Sequence, residues 1–390
     1  MIMLSQQQRI FFEFLRFCIG TVQEVPSSLK GADWRVLYAM ARKQCLVGVL
    51  FDGIKRLPAD VGMDKGLLFQ WMAQNQTLRK ANARLDKAAV EVAEWFGRKG
   101  FRTCVLKGQG NALFYPPGME RTPGDIDLWV DGGDRKVVSF VRSLSPDERV
   151  CYHHIGFPEY NGVEVEVHFR PSFLFCFRHN RRLQGYYERV MDEQFAHKVK
   201  LGRQGDVAVP KAEFNLIFQL THIFTHLMNE GIGLRQLLDY FFLLKNTDFG
   251  GNADGDGFLL NTNCTDYTDR IGGNADGVDR RLLQDELRRL GLWEFAGAVM
   301  YIMKEVFGLE DNRLIVPPDV MRGRLVLKEA LEAGNFGQYD KRNWFGHSAL
   351  GHNLQRLYRD MRLVRFFPAE ALSEPFFRIW HFFWRKRIVR

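Results

Sequence analysis

The apolar positions change their spacing twice along the chain. From residue 5 to about 95 they recur with the period of a helix. Ile10, Phe11, Phe14, Leu15 and Cys18 share one helical face, and Ser5 stands where an N-cap belongs. A second helix is predicted from Asp33, carrying Trp34, Leu37, Met40 and Ala41, and a buried helical segment over 47–54 ahead of Pro58. Residues 65–100 read as one long helix, rich in Ala, Lys, Arg and Glu, with Gly100 as its stop.

From 101 to about 210 the period becomes two. A short strand is predicted at 101–106, a second around Asp125–Val130, a solvent-side helix at 132–144, and a hairpin at 149–171. The Asn161-Gly162 pair marks the hairpin turn. Within it the alternation is complete: Val163, Val165, Val167 and Phe169 fall on one face, Glu164, Glu166 and His168 on the other.

Helical spacing returns at 213, with two helices joined at Gly231–Gly233 and further helices over 279–308 and 318–333. The pattern implies an α+β fold, a small mixed sheet flanked by helical regions, divided as 1–95, 96–210 and 211–390. The stretch 246–279 repeats GGNADG and is dominated by Gly, Asn and Asp, which is linker chemistry. Its NADGDG at 252–257 resembles the start of a calcium loop, but position twelve is Asn263 and the flanks are not helical, so a surface insertion is the better account. The last residues are aromatic and basic. Phe376, Phe377, Ile379, Trp380, Phe383 and Trp384 are expected to pack a helix on the domain and leave Arg385, Lys386 and Arg387 solvated.

Composition narrows this picture modestly. With 390 residues, 46% hydrophobic and 26% charged, the chain has room for two or three cores. Net charge +8 suits a polyanionic partner: nucleotide, nucleic acid or anionic surface. No motif supports nucleic acid specifically. Six scattered cysteines without CxxC spacing read as reduced thiols. No signal peptide and no run of about 18 apolar residues is found, so the cytoplasm is the default location.

The candidate chemistry lies in Asp125 and Asp127. Two residues apart on a strand, their carboxylates project side by side, with Ile126 and Leu128 toward the core. Adjacent carboxylates repel unless a cation joins them, and oxygen-only ligands suit Mg²⁺, with Mn²⁺ as a substitute. Glu166, on a strand expected next door, is the third ligand, and Glu164 on the same face is the reserve. His168 is read as orienting a carboxylate or lining the site. A carboxylate here could also accept a proton from an attacking hydroxyl. The shared site requires the Glu166 carboxyl within about 8 Å of those of Asp125 and Asp127. His222 and His226, four apart without an HExxH pattern, read as a packed or substrate-facing pair; Arg235 and Asp239 read either as an intrahelical ion pair or as closing the cleft from the helical side.

The run LKGQGNALFYPPGMERTPGDIDLWV at 106–130, followed by VEVHFRP at 165–171, resembles the DNA polymerase beta-like nucleotidyltransferase superfamily. More narrowly it is similar to an uncharacterised bacterial nucleotidyltransferase family, with a Leu-Lys-Gly turn, an Arg-x-x-Gly-Asp-x-Asp segment and a later acidic-x-His-aromatic strand. THIFTHLMNEGIGLRQLLDY at 221–240 resembles that family's downstream helices. The resemblance implies a Mg²⁺-dependent enzyme moving a nucleoside monophosphate from NTP to an unidentified hydroxyl or phosphate acceptor. It places Asp125, Asp127 and Glu166 as metal-binding and catalytic. In the superfamily Gly-Gly or Gly-Ser grips the triphosphate; here the position reads Gly108-Gln109 after Lys107. Lys107 as a point charge, Gly108, Gln109, Arg121 and Arg235 are then the phosphate-binding candidates. The rival readings are an inactive nucleotide-binding or regulatory module of the same fold, and a basic nucleic-acid-binding protein.

Overall fold

The structure is a computed structural model that describes residues 4–58, 61–202, 204–250, 277–342, 344–345 and 348–389. The pattern at 252–257 and Cys264 lie outside the described residues.

Helix α1 (Gln6–Cys18) begins with a capping box: Ser5 Oγ accepts from the Gln8 N–H (3.2 Å), and Gln8 Oε1 accepts from the Ser5 N–H (2.8 Å). Asp33 caps α2 (Trp34–Lys43), α3 (Val47–Ile54) follows, and Asp64 caps α4 (Lys65–Arg98). Gly100, at φ +83°, ends α4 in the left-handed conformation that glycine adopts freely. Helix α3 lies so close to the loop before the site that a Cβ on Gly48 would overlap the Glu120 carbonyl oxygen. Gly48→Ala is therefore expected to lower the unfolding free energy by about 1–3 kcal/mol, read as a reduced urea midpoint at unchanged helical circular dichroism.

A four-stranded mixed sheet carries the centre of the chain. It comprises β1 (Thr103–Val105), β2 (Ile126–Val130), β3 (His154–Phe157) and β4 (Val165–His168), in the order β1-β2-β4-β3. Strand β2 runs antiparallel to β1 and parallel to β4, and β3 is antiparallel to β4. The short α5 (Gln109–Ala112) and α6 (Gly133–Leu144) connect them. Both faces are covered. Ile126, Leu128, Val165 and Val167 pack with α6 and with Leu85 to Phe96 of α4, while Cys104 and Trp129 join a larger core shared with the helices at both ends of the chain.

The elements beyond those read from the sequence include α7 (Phe177–Ala196), the hairpin β5 (Lys198–Leu201)–β6 (Gly205–Ala208) and a later helix over Ala349–Leu363. The seam Leu183, Tyr186, Tyr187 and Phe195 of α7 is buried and has helical spacing, so the signal was present. Helices α8 (Ala212–Asn229) and α9 (Leu234–Asn246) form the wall opposite the sheet. The run over 279–308 is two helices, α10 (Arg280–Leu290) and α11 (Trp293–Glu305), because Gly291 turns left-handed at φ +73°. Then come α12 (Val320–Ala333), α13 (Ala349–Leu363) and α14 (Pro368–Ile388). The tail helix packs less than expected. Phe377 is buried and Trp384 touches both cores, but Phe376, Ile379 and Phe383 are each more than half exposed. Among the described residues no helix is long and apolar enough to cross a membrane.

Candidate active site

The site begins where β1 ends. The Leu106 N–H bonds the Asp127 carbonyl (3.0 Å), and the chain then bends at Gly108, φ +58° and ψ −107°. A side chain there would suffer both the backbone strain and a 3.3 Å approach to the Asp125 carbonyl oxygen. The bend brings Lys107 back over β2, where its Nζ lies 2.8 Å from Asp127 Oδ1.

Parallel pairing places Glu166 opposite Asp127, and antiparallel pairing places His154 opposite His168. His168 Nε2 donates to Asp127 Oδ1 at 2.9 Å and lies 3.4 Å from Glu166 Oε2; His154 Nδ1 is 3.5 Å from the same Glu166 oxygen. Ligand atoms of Asp127, Glu166 and His168 lie within 4.8 Å of one another. Asp125, one residue ahead of β2, is partly exposed and lines a cleft together with Lys107 and Asp127, whereas Glu166 and His168 are not among the residues lining it.

This crowd of charge sets its own protonation. Burial opposes the charged form of His168, but the hydrogen bonds to Asp127 and Glu166 prevail and push its pKa up to about 9. Burial would likewise raise Glu166; His168 and His154 instead bring it down to about 2. Asp127 is also lowered, against burial, by Lys107 and His168, and Lys107 is raised, against burial, by Asp127, Asp125 and Glu166. His154 falls to about 4 mainly through burial, and burial then Lys107 hold His222 well below the usual histidine range. At neutral pH the site is thus an imidazolium and an ammonium set among ionised carboxylates. A glutamate held near 2 suits binding of positive charge better than proton abstraction.

The donor set fits a hard cation. Asp127 is 1% exposed, yet its Oδ2 is buried with no hydrogen-bond partner. A buried carboxylate oxygen without a donor is costly unless a cation meets it. Asp127 and Glu166 lie close enough to share an ion, with Asp125 lining the cleft beside Asp127, and carboxylate oxygens of this kind are what a hard divalent cation takes. His168, protonated, serves as a bridge between carboxylates.

The opposite wall comes from α8 and α9. From Phe214 to Met228 every residue is buried except His222 and His226. His222 Nε2 lies 3.3 Å from Lys107 Nζ, its ring centroid is 4.2 Å from that of His226, and His226 pairs with Glu230. Arg235 is buried at the cleft edge, its Nη1 donating to the Thr122 carbonyl (3.2 Å), its Nε unpartnered and its guanidinium over Phe336.

Several sequence-based expectations change. Gln109 points away from the cleft: its amide donates to Asp86 on α4. Arg121 lines the cleft but is committed to Asp239 through two hydrogen bonds, Nε to Oδ1 (2.8 Å) and Nη2 to Oδ2 (2.7 Å). Tyr115 Oη also donates to Asp239 Oδ1 (2.7 Å). Arg121 is therefore a strut between the loop and α9, and the Asp239 carboxylate meets Arg121 where an intrahelical Arg235–Asp239 pair was the alternative. Glu164 is exposed and off the cleft lining; its carbonyl accepts from the Ile126 N–H.

Sequence reasoning missed His154, Tyr115 and Phe336. His154 was within reach, because Asn161-Gly162 predicts the hairpin. Tyr160 and Val163 do exchange hydrogen bonds (2.9 and 3.1 Å) across two left-handed turn residues. Counting back from that turn would put His154 opposite Phe169. The observed partner is His168, because 158 and 159 oppose 164 alone. Pro158 has no N–H to give the ladder, and a bulge accommodates it.

The cleft between the walls is narrow, a cavity of about 30 Å³. That holds one or two waters or a metal ion. No curated protein and no solved structure matches this chain. One family model does match, described as uncharacterised nucleotidyltransferase, over residues 30–259. This covers more than half of the chain and contains Lys107, Asp125, Asp127, Glu166 and His168. The chain belongs to this family of uncharacterised nucleotidyltransferases.

Proposed function

We propose that the cleft moves a nucleoside monophosphate from an NTP to a hydroxyl or phosphate oxygen of an acceptor, with Mg²⁺, in the cytoplasm of a bacterial cell and on a polymerase beta-like core. The carrying observation is Asp127 beside Glu166 across two parallel strands, with Asp127 Oδ2 buried and unpartnered. Bound magnesium would neutralise phosphate charge as a Lewis acid, held by Asp125, Asp127 and Glu166. The acceptor oxygen bonds to the α-phosphorus, the bond to the β-phosphate bridging oxygen breaks, pyrophosphate leaves, and the acceptor's proton passes to solvent. Lys107 and Arg235 offer the positive charge that binds phosphate oxygens. His168 holds Asp127 and Glu166 in register. The narrow cleft admits phosphates only after α8 and α9 part from the sheet, or with base and sugar outside.

The test is a screen of all four NTPs carrying an α-phosphate label, with cell extract supplying acceptors. Expected is label transfer that requires Mg²⁺ and ceases with EDTA, at roughly 1–100 turnovers per second for a suitable acceptor. Transfer unaffected by EDTA removes the metal from the reading. A second reading, an inactive nucleotide-binding module, is favoured by Gln109 turning to Asp86 in place of a phosphate-gripping Gly-Ser. It predicts saturable NTP binding without label transfer from any of the four.

A further inference from the structure

Phe336 walls the cleft on one side and a second, larger cavity of about 470 Å³ on the other. This second cavity is lined by Arg149, by the end of α8 and by α13, which turns His352, Gln355, Arg356 and Arg359 toward it. Those four recur at i, i+3, i+4 and i+7, the stripe that a packed helix normally fills with apolar residues.

The donors on this stripe exceed their acceptors. Arg359 is 3% exposed, yet its Nε and Nη1 have no hydrogen-bond partner, and its Nη2 stands 3.6 Å from Asp340 Oδ2. The Arg356 Nε and both amide atoms of Gln355 are likewise buried and unpartnered. Arg356 Nη2 is taken by Glu374 (2.6 Å) and by Asn229. Of the nearby carboxylates, Asp340 and Glu329 meet Arg342, Glu329 also meets Arg362, and Glu374 meets Arg378. Asp360 is buried with both oxygens unpartnered, and burial and Glu374 push its pKa up to about 8. Among the described lining residues Glu230 is the carboxylate, and it pairs with His226. Burial pulls the pKa values of Arg356 and Arg359 downward. Guanidinium nitrogens buried without acceptors mark a place where an anion belongs.

The two cavities are joined by more than Phe336. Glu230 pairs with His226, His226 abuts His222, and His222 touches Lys107 at the Asp127 carboxylate. We propose that the second cavity is an anion subsite of the transfer cleft and takes a phosphate-type group of a substrate on Arg359, Arg356 and Arg149. The assignment to a substrate rests on the nucleotidyl-transfer reading; the anion site itself does not. Its phosphate comes from one of two sources, a phosphorylated acceptor or the triphosphate tail of the nucleotide. Planar guanidinium forks suit either.

The experiment is calorimetric titration of inorganic phosphate into the full chain, without Mg²⁺ or nucleotide. Expected is saturable binding, weakened about tenfold in Arg359→Gln, the effect of removing one charge-assisted hydrogen bond, and also weakened in Arg149→Gln. Arg149 is exposed, so its variant decides the matter if Arg359→Gln does not fold. No saturable binding, or binding indifferent to both arginine variants, overturns the proposal. Repeating the titration with saturating NTP separates the sources: phosphate excluded by NTP assigns the site to the triphosphate, and phosphate still bound assigns it to the acceptor. Phosphate binding without label transfer from any NTP would sink the transfer reading alone, whereas label transfer without phosphate binding would sink the subsite alone.

Discussion

Asp127→Asn is expected to lower nucleotidyl transfer about 10³-fold or more while the chain stays folded. Asparagine keeps the shape and an oxygen that accepts from Lys107 and His168, so the hydrogen bonds of Asp127 Oδ1 survive. What it removes is the charge, and with it the grip of Oδ2 on a cation. Metal stabilisation of transferring phosphate is worth several kcal/mol, and about 4 kcal/mol corresponds to that rate loss. The measurement is the initial rate of label transfer per folded molecule, with circular dichroism confirming the fold. A variant retaining a tenth of the wild-type rate would remove Asp127 from the chemistry. His168 should report the change independently. Its pKa near 9 rests mainly on the Asp127 and Glu166 hydrogen bonds, so it should move downward when Asp127 loses its charge, visible by NMR titration.

The largest expected loss of stability is at Arg121. Arg121→Met leaves the Asp239 carboxylate buried with Tyr115 as its hydrogen-bond donor, next to Arg235, which donates to the Thr122 and Pro123 carbonyls. Breaking one side of a buried pair costs about 3–5 kcal/mol, because the remaining charge is desolvated without compensation. Denaturant unfolding of Arg121→Met should show this, and Arg121→Met with Asp239→Leu should recover most of it. A single-variant cost under about 1 kcal/mol would mean the pair is not what ties the loop to α9. Transfer activity should fall as well, since Arg121 anchors the loop that leads to Asp125.

These two residues were read differently from the sequence, and the reasons are physical. Asp127 was legible because strand alternation is local: residues two apart share a face whatever the rest of the chain does. The same rule assigned Glu166 and His168 to one face and Val165 and Val167 to the other, as found. Arg121 was read as a phosphate clamp, and its pairing with Asp239 was not foreseen because that partner is 118 residues away. No local pattern distinguishes an arginine awaiting a ligand from one committed to a buried carboxylate. The bond from Gln109 to Asp86 on α4 was hidden for the same reason. The tail failed through solvent: apolar spacing alone does not say whether Phe376 and Ile379 meet a core or water.

By itself the sequence determined the local geometry: the capped helices and the left-handed turn at Asn161-Gly162. Periodicity and turn chemistry act over a few residues, so a linear reading suffices for them. Only the tertiary structure decided the site. The parallel pairing of β2 with β4 sets Glu166 across from Asp127, and the bulge at Pro158 sets His154 across from His168. The bend at Gly108 delivers Lys107, and α8 brings His222 against it. Register and long-range charge pairing depend on which strand or helix arrives next door. Hydrogen bonds and neighbouring charges, prevailing over burial, then set the charge states of His168, Glu166, Asp127 and Lys107.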